Sequence, residues 1–152
     1  MKVNDLLILV RQRLGDMQKT TFSDVELIYC LNNAMDRLSI ELSEQSNPEM
    51  SKEFTLRSDT ETERPVDFIS LRGQYPIEFK RNGGKTVVVH ANPEFDGEMI
   101  VKYFAMRPHV SSLEDDIPFD QGVHHRILVI YTVYDAKPSL EAKTNDSTRT
   151  NE

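Results

Sequence analysis

The sequence predicts an α+β fold: a small helical bundle of two N-terminal helices and one C-terminal helix, with an inserted antiparallel β-sheet of four to five strands. Three observations predict it. Apolar residues recur at three- and four-residue spacings over 3–14, 23–44 and 120–136. Between 53 and 107 the pattern shortens toward alternation. Within that middle region, Asn82-Gly83-Gly84 separates two β-prone runs, and its glycines supply the positive φ that a tight hairpin needs. Residues 1–137 therefore form a single domain with a β insertion at 53–107, and 138–152 form a C-terminal arm.

The first helix, 3–14, carries Val3, Leu7, Val10 and Leu14 on one face. Leu6, Ile8 and Leu9 widen that face, which predicts burial on more than one side. Asn4 is the expected cap, with Val3 and Ile8 placed as a hydrophobic staple, and Gly15 is the stop. The second helix opens on Ser23, whose S-x-x-E spacing to Glu26 is a capping box, with Phe22 and Leu27 as its staple. Ser23→Ala is expected to cost about 1 kcal/mol. Its core stripe is Ile28, Leu31, Met35, Leu38 and Leu42, joined by Leu27 and Ala34. Pro48 prevents continuation. Asn32 flanks this stripe, where its amide can reach another helix or a second subunit. Asn33 turns away from the stripe, toward solvent or a subunit contact, and Arg37 is a further contact candidate.

In the middle, Phe54 and Leu56 share one face of the first strand, and "TETE" at 60–63 is a charged loop. Over 64–73 the candidate inward residues are Val66 and Phe68, with Ile69 and Leu71 as further ones. "EMIVKYFAM" (98–106) is the last strand, stopped by Pro108. The third helix, 120–136, repeats Val123, Ile127, Ile130, Tyr131 and Tyr134, with Leu128 and Val129 adding bulk. Asp120 is its expected N-cap and Pro138 closes it. The arm has one large apolar residue, Leu140, so it cannot offset its own ordering entropy and is expected to be disordered alone.

Composition bounds function. The chain of 152 residues has net charge −7 and a pI near 5.1, which excludes a protein that grips nucleic acid with a basic surface. An acidic wall past which DNA slides remains compatible. No apolar run approaches the roughly 18–20 residues of a membrane span. "LLILV" at 6–10 lacks the basic flank and cleavage site of a signal peptide, so the expectation is cytoplasmic synthesis and no membrane partner. Cys30 stands alone in the sequence, excludes an internal disulfide, and reads as a buried structural thiol.

The candidate chemistry is thin. Adjacent His124 and His125 point about 100° apart on a helix and cannot readily share one metal. Asp115-Asp116 lacks the alternating oxygen ligands and central glycine of a calcium loop. "GGKT" (83–86) lacks the upstream glycine of a phosphate-binding loop, since Glu78 stands there. The expectation is no catalytic, metal or cofactor site, and no enzyme activity. The alternative from the enzyme or regulator class rests on Asp115, Asp116, His124 and His125.

Several motifs, in order, resemble the head-to-tail adaptor (connector) proteins of tailed bacteriophages. They are "LLILVRQRLGD" (6–16), "TFSDVELIYCLNNAMDRLSIEL" (21–42), "RPVDFISL" (64–71), "IVKYFAMRP" (100–108) and "SSLEDDIPFDQGVHHRILVIYTVYDA" (111–136). The positions that carry the likeness are Leu14, Gly15, Asp16, Phe22, Ser23, Glu26, Leu31, Asn32, Asp67, Tyr103, Arg107, Pro108, Asp116 and Pro118. The bulky final helix and polar tail depart from the family's alanine-rich final helices. The resemblance implies a virion protein at the portal vertex. Such a protein assembles with itself into a ring of twelve under the portal protein, extends the DNA channel, and provides the platform for nozzle or tail-tube proteins. Double-stranded DNA would pass through its lumen without sequence-specific binding. It further implies that Pro138, Ser139, Leu140, Glu141, Ala142, Lys143, Thr144 and Asn145 dock on the portal. A head-completion stopper or tail terminator is the structural alternative.

Overall fold

The computed structural model describes residues 1–150, with side chains through Asn145. The architecture is α+β. In chain order it comprises α1 (Val3–Leu14), α2 (Asp24–Glu44), β1 (Ser51–Arg57), β2 (Thr62–Glu63), β3 (Phe68–Leu71), β4 (Ile77–Asn82), β5 (Lys85–His90), β6 (Glu98–Ala105) and α3 (Gly122–Thr150). Two compact units are resolved where the sequence suggests one domain with an insertion. One comprises Met1–Leu38 and the chain from Arg107 onward, and the other comprises Ser39–Met106. Among the described residues no helix is long and apolar enough to cross a membrane.

In the helical unit, α1 buries Val3, Leu6, Leu7, Val10 and Leu14. Its start differs from expectation. Lys2 occupies the N-cap position and makes no side-chain cap. The orphan amides of the first turn are instead satisfied from far along the chain, Val3 N–H by the Asp115 carbonyl at 2.9 Å and Asn4 N–H by the Leu113 carbonyl at 3.0 Å. Asn4 is thus not the cap. Ile8 and Leu9 are 39 % and 40 % exposed, so α1 is covered on one side only and the Val3–Ile8 staple is absent. Gly15 does end the helix. At φ +69° it donates its N–H to the Gln12 carbonyl while Asp16 N–H bonds Arg11, which is a Schellman closure.

The start of α2 is as expected. Glu26 N–H donates to Ser23 Oγ at 3.1 Å, and Ser23 N–H donates back to Glu26 Oε1 at 3.4 Å. Phe22, Leu27, Leu31, Ala34, Met35, Leu38 and Leu42 are buried, and Ile28 is half-buried.

α3 departs from expectation twice. Its inward face is His124, Leu128, Thr132 and Ala136, widened by Val129 and Val133. Val123, Ile130 and Tyr134, predicted to face the core, are 45 %, 49 % and 69 % exposed. At 100° per residue they lie on the opposite side from the buried set. The helix begins at Gly122, with the Gln121 carbonyl accepting from His125 N–H, so Asp120 is not its cap. It also runs through Pro138, where the sequence places its end. A proline there leaves only the Tyr134 carbonyl without its helical donor, and Tyr134 is exposed, so water can serve it. Residues 138–145 are therefore helical and not an unstructured arm, while 151 and 152 lie outside the described residues.

In the β unit the strands form two three-stranded antiparallel sheets, ordered β1-β6-β3 and β2-β5-β4. The single sheet of four to five strands is thus six strands in two sheets among the described residues. β2 lies in "TETE", where the sequence predicts a charged loop, and it is two residues long. The predicted hairpin is present. Asn82 faces Lys85 across Gly83 and Gly84, at φ +60° and +86°. Leu56, Val88 and Val101 centre the core, packed by Phe54, Leu71, Tyr75, Ile77 and Met99. Val66 is fully exposed rather than inward, because 64–67 is an irregular loop before β3 and follows no strand alternation.

Candidate functional site

The sequence motifs meet in three polar clusters. The first joins α1 to α2. Arg11 is 2 % exposed and Asp16 is 3 % exposed. Arg11 Nη1 donates to Asp16 Oδ2 at 2.8 Å and to the Phe22 carbonyl at 2.9 Å, and Nη2 donates to Asp24 Oδ1 at 2.9 Å. Asp16 also accepts from the backbone N–H groups of Thr20, Thr21 and Phe22 at 2.9–3.0 Å. Burial pushes the Asp16 carboxyl up, but the Thr21, Phe22 and Thr20 amides and the Arg11 guanidinium together hold its pKa below the ordinary value. The Gly-Asp of "RLGD" is thus a helix stop followed by an anion that folds the next six residues around itself.

The second cluster fixes the segment after Pro108. Asn32 donates Nδ2–H to the Val110 carbonyl and accepts Val110 N–H, both at 2.9 Å. The amide acts as a strand-like clamp on buried Val110. One residue earlier, His109 Nε2 lies 2.9 Å from Asp36 Oδ1. Asn33, expected to face solvent or a subunit, donates to Asp135 of α3 at 3.2 Å. Arg37 lies 3.9 Å over the Tyr131 ring. Arg107 stands 5.7 Å over Phe119, which is buried next to half-buried Pro118.

The third cluster lies in the β unit. Tyr103 Oη–H donates to Asp67 Oδ1 at 2.9 Å, and Lys52 Nζ donates to Asp67 Oδ2 at 2.6 Å. Met106 N–H bonds the Asp67 carbonyl at 2.7 Å. Burial raises the Asp67 carboxyl, yet Lys52 and the Tyr103 hydroxyl leave it below its ordinary value. Burial and that same carboxylate push Tyr103 up to about 12.

The four residues of the catalytic alternative fall into local contacts, the two aspartates with different partners and the two histidines both against Phe119. Asp115 accepts Ser111 and Ser112 N–H at 2.8 and 3.0 Å and closes a turn, which lowers its pKa. Asp116 pairs with Lys2 at 3.1 Å. His124 is buried edge-on to Phe119 with its Nδ1 unpartnered, and His125 Nε2 contacts the Phe119 carbonyl. Cys30 is buried and its thiol is pushed up to about 12, first by burial and then by Asp135, so it is a poor nucleophile. Among the described residues no group of three or more His, Cys, Asp or Glu side chains is placed to hold a metal ion.

Two residues carry structure that sequence reasoning missed. Arg11 follows Val10 on the buried face, and a charge in an apolar stripe signals a buried partner. Lys143 ties the helix beyond Pro138 to the start of α2. Its Nζ donates to the Thr21 carbonyl at 2.7 Å and to Glu26 Oε2 at 2.6 Å, and it lies 4.6 Å from the Phe22 ring centroid. Leu140 beside it is half-buried, while Pro138, Ser139, Glu141, Ala142, Thr144 and Asn145 are exposed.

No family model matches the chain, and no curated protein matches it.

Proposed function

We propose that this chain is a non-enzymatic head-to-tail adaptor of a tailed bacteriophage, which forms a ring under the portal, extends the DNA channel and carries the tail proteins. The observation that carries the reading is how the resembling motifs pair. Asp16 and Phe22 share a buried hydrogen-bond cluster, Asn32 clamps the backbone just after Arg107-Pro108, and Asp67 of the P-x-D-F segment bonds Tyr103 of the tyrosine strand. Motifs dispersed over the chain would keep such company if they record one fold's polar framework. The engagement of Asp115 by Ser111 and Ser112, of Asp116 by Lys2, and of His124 and His125 by Phe119 also supports a structural role. Net charge −7 suits a wall that DNA passes without adhering. In this reading α3 beyond Pro138 is a helical docking element rather than a segment that orders on its partner.

The test is reconstitution with the portal protein of the same phage, read by native mass and by imaging of the portal vertex. A portal complex carrying a ring of this chain is the expected result. Absence of any complex across protein concentration and salt would overturn the reading, and a ring seated on the tail tube without touching the portal would transfer it to the terminator class.

A further inference from the structure

The helical unit presents two apolar surfaces, one bordered by two guanidiniums and the other by two half-exposed carboxylates that are each ion-paired within the chain, Asp24 to Arg11 and Lys19 and Glu26 to Lys143. The first is a groove of about 410 Å3 between α1 and α3, lined by Leu9, Gln12, Val129, Arg13 and Arg126 among others. Arg13 and Arg126 are exposed, and among the described residues neither guanidinium has an ion-pair or hydrogen-bond partner. One turn beyond Arg126, Ile130 continues the apolar surface along α3 and is 49 % exposed. The second surface is the start of α2. Val25 and Tyr29, one turn apart, are 76 % and 67 % exposed. Their neighbours Asp24 and Glu26 keep side-chain exposures of 38 % and 46 % despite their internal ion pairs.

We infer that the α1/α3 groove receives the start of α2 from a second copy of this chain. The match is one of chemistry. Tyr29 is an aromatic anchor with a polar tip, the residue class that dominates contact energetics when it fills a pocket. A 410 Å3 groove is roomy enough for its ring. Guanidinium groups stack on tyrosine faces and pair with carboxylates, so Arg13 and Arg126 meet both the ring and the Asp24/Glu26 edge. Because Val25 and Tyr29 are exposed in their own chain, they do not fill their own groove. The contact joins two different surfaces, and where it is not reciprocated across a two-fold axis it is heterologous and generates a ring when its rotation closes. A groove with two anchors falls short of the roughly 800 Å2 per partner of a standard stable interface. The pairwise contact is weak, and it strengthens when a template holds many copies together. For its biological role the inference rests on the adaptor reading, whose ring it supplies with a subunit contact. The contact itself is tested without a portal.

Full-length Leu9→Cys and Val25→Cys chains are mixed at high concentration under mild oxidation, with unsubstituted protein giving the Cys30 background. Mixed disulfide dimers are expected to exceed either homodimer roughly tenfold. Arg126→Glu in the first chain and Tyr29→Ala in the second should each remove most of that excess. Gln12→Cys, exposed on the same groove, replaces Leu9→Cys if circular dichroism shows that variant unfolded. Homodimers matching the mixed product, no mixed product, or a product indifferent to Arg126→Glu and Tyr29→Ala each overturn the inference. A chain that gives this crosslink but fails to bind a portal leaves the contact standing and removes only the adaptor reading. Portal rings without the crosslink do the reverse.

Discussion

Asp16 and Asp67 are both carboxylates held below their ordinary pKa, one in each unit, and they are built differently. Asp16 is sealed from water and is bound mostly by backbone amides within six residues, with Arg11 beside it. Asp67 stays about a quarter exposed and is bound by side chains from β1 and β6. A local cluster of backbone donors comes ready-made once the turn forms, and it tolerates burial because each lone pair is satisfied. A cluster of side chains from distant strands forms only when the sheet is in register, and its exposed lysine contributes little.

The largest expected effect breaks the first cluster. Asp16→Ala leaves Arg11 buried without its buried counterion, and removing one partner of such a pair costs about 3–5 kcal/mol. Urea titration should show the midpoint collapse or the protein fail to fold. A midpoint unchanged from the native chain would show that the cluster is not holding the turn. Asp67→Ala comes next, at about 1–3 kcal/mol, because it strands the Tyr103 hydroxyl in a part-buried site. Tyr103→Phe should lose less, about 0.5–1.5 kcal/mol, because Lys52 and solvent still serve the carboxylate. Lys52→Ala is expected to be smallest, at about 0–1 kcal/mol and fading with added salt, since the ammonium is 58 % exposed. A loss for Lys52→Ala as large as for Asp67→Ala would erase the contrast between the two sites.

Acid titration sharpens the same contrast. Both carboxyls have folded pKa values below the ordinary 3.8. Their stabilisation is complete above that value and is lost as pH falls through the lowered folded values. Asp16→Asn should flatten the acid limb of stability measured between neutral pH and about pH 2, and Asp67→Asn should do so as well. An acid limb identical to the native one in both variants would place the linkage elsewhere.

Local features of the fold were readable in the sequence because each has a short-range cause. The Ser23/Glu26 box, the Gly15 stop and the Gly83-Gly84 turn each depend on residues no more than a few positions apart. The α2 core stripe was also legible, since Leu27, Leu31, Ala34, Met35, Leu38 and Leu42 share one side and are buried, although Val25, Tyr29 and Ile40 are exposed. α3 was not, because it is apolar on opposite sides: Leu128 and Val129 are buried while Val123, Ile130 and Tyr134 are exposed. Periodicity identifies such a helix but cannot choose which side packs inward. The same limit applies to the cap of α1, supplied by carbonyls at 113 and 115, and to the helix beyond Pro138, secured by Lys143 against Thr21 and Glu26. Of the candidate site, Asn32 was recognised as a linker to another element, but its partner at Val110 lies 78 residues away.

The sequence by itself determined the helices, the hairpin, the α+β order, the Gly15 stop and the Ser23/Glu26 box, because these follow from backbone preferences and neighbours within one or two turns. Only the tertiary structure decided which face of α3 is buried, that α3 continues past Pro138 with Lys143 bonded to Thr21 and Glu26, and that Arg11 and Asp16 lie in the interior. Those outcomes depend on groups brought together from remote positions, where burial and pairing override local propensity.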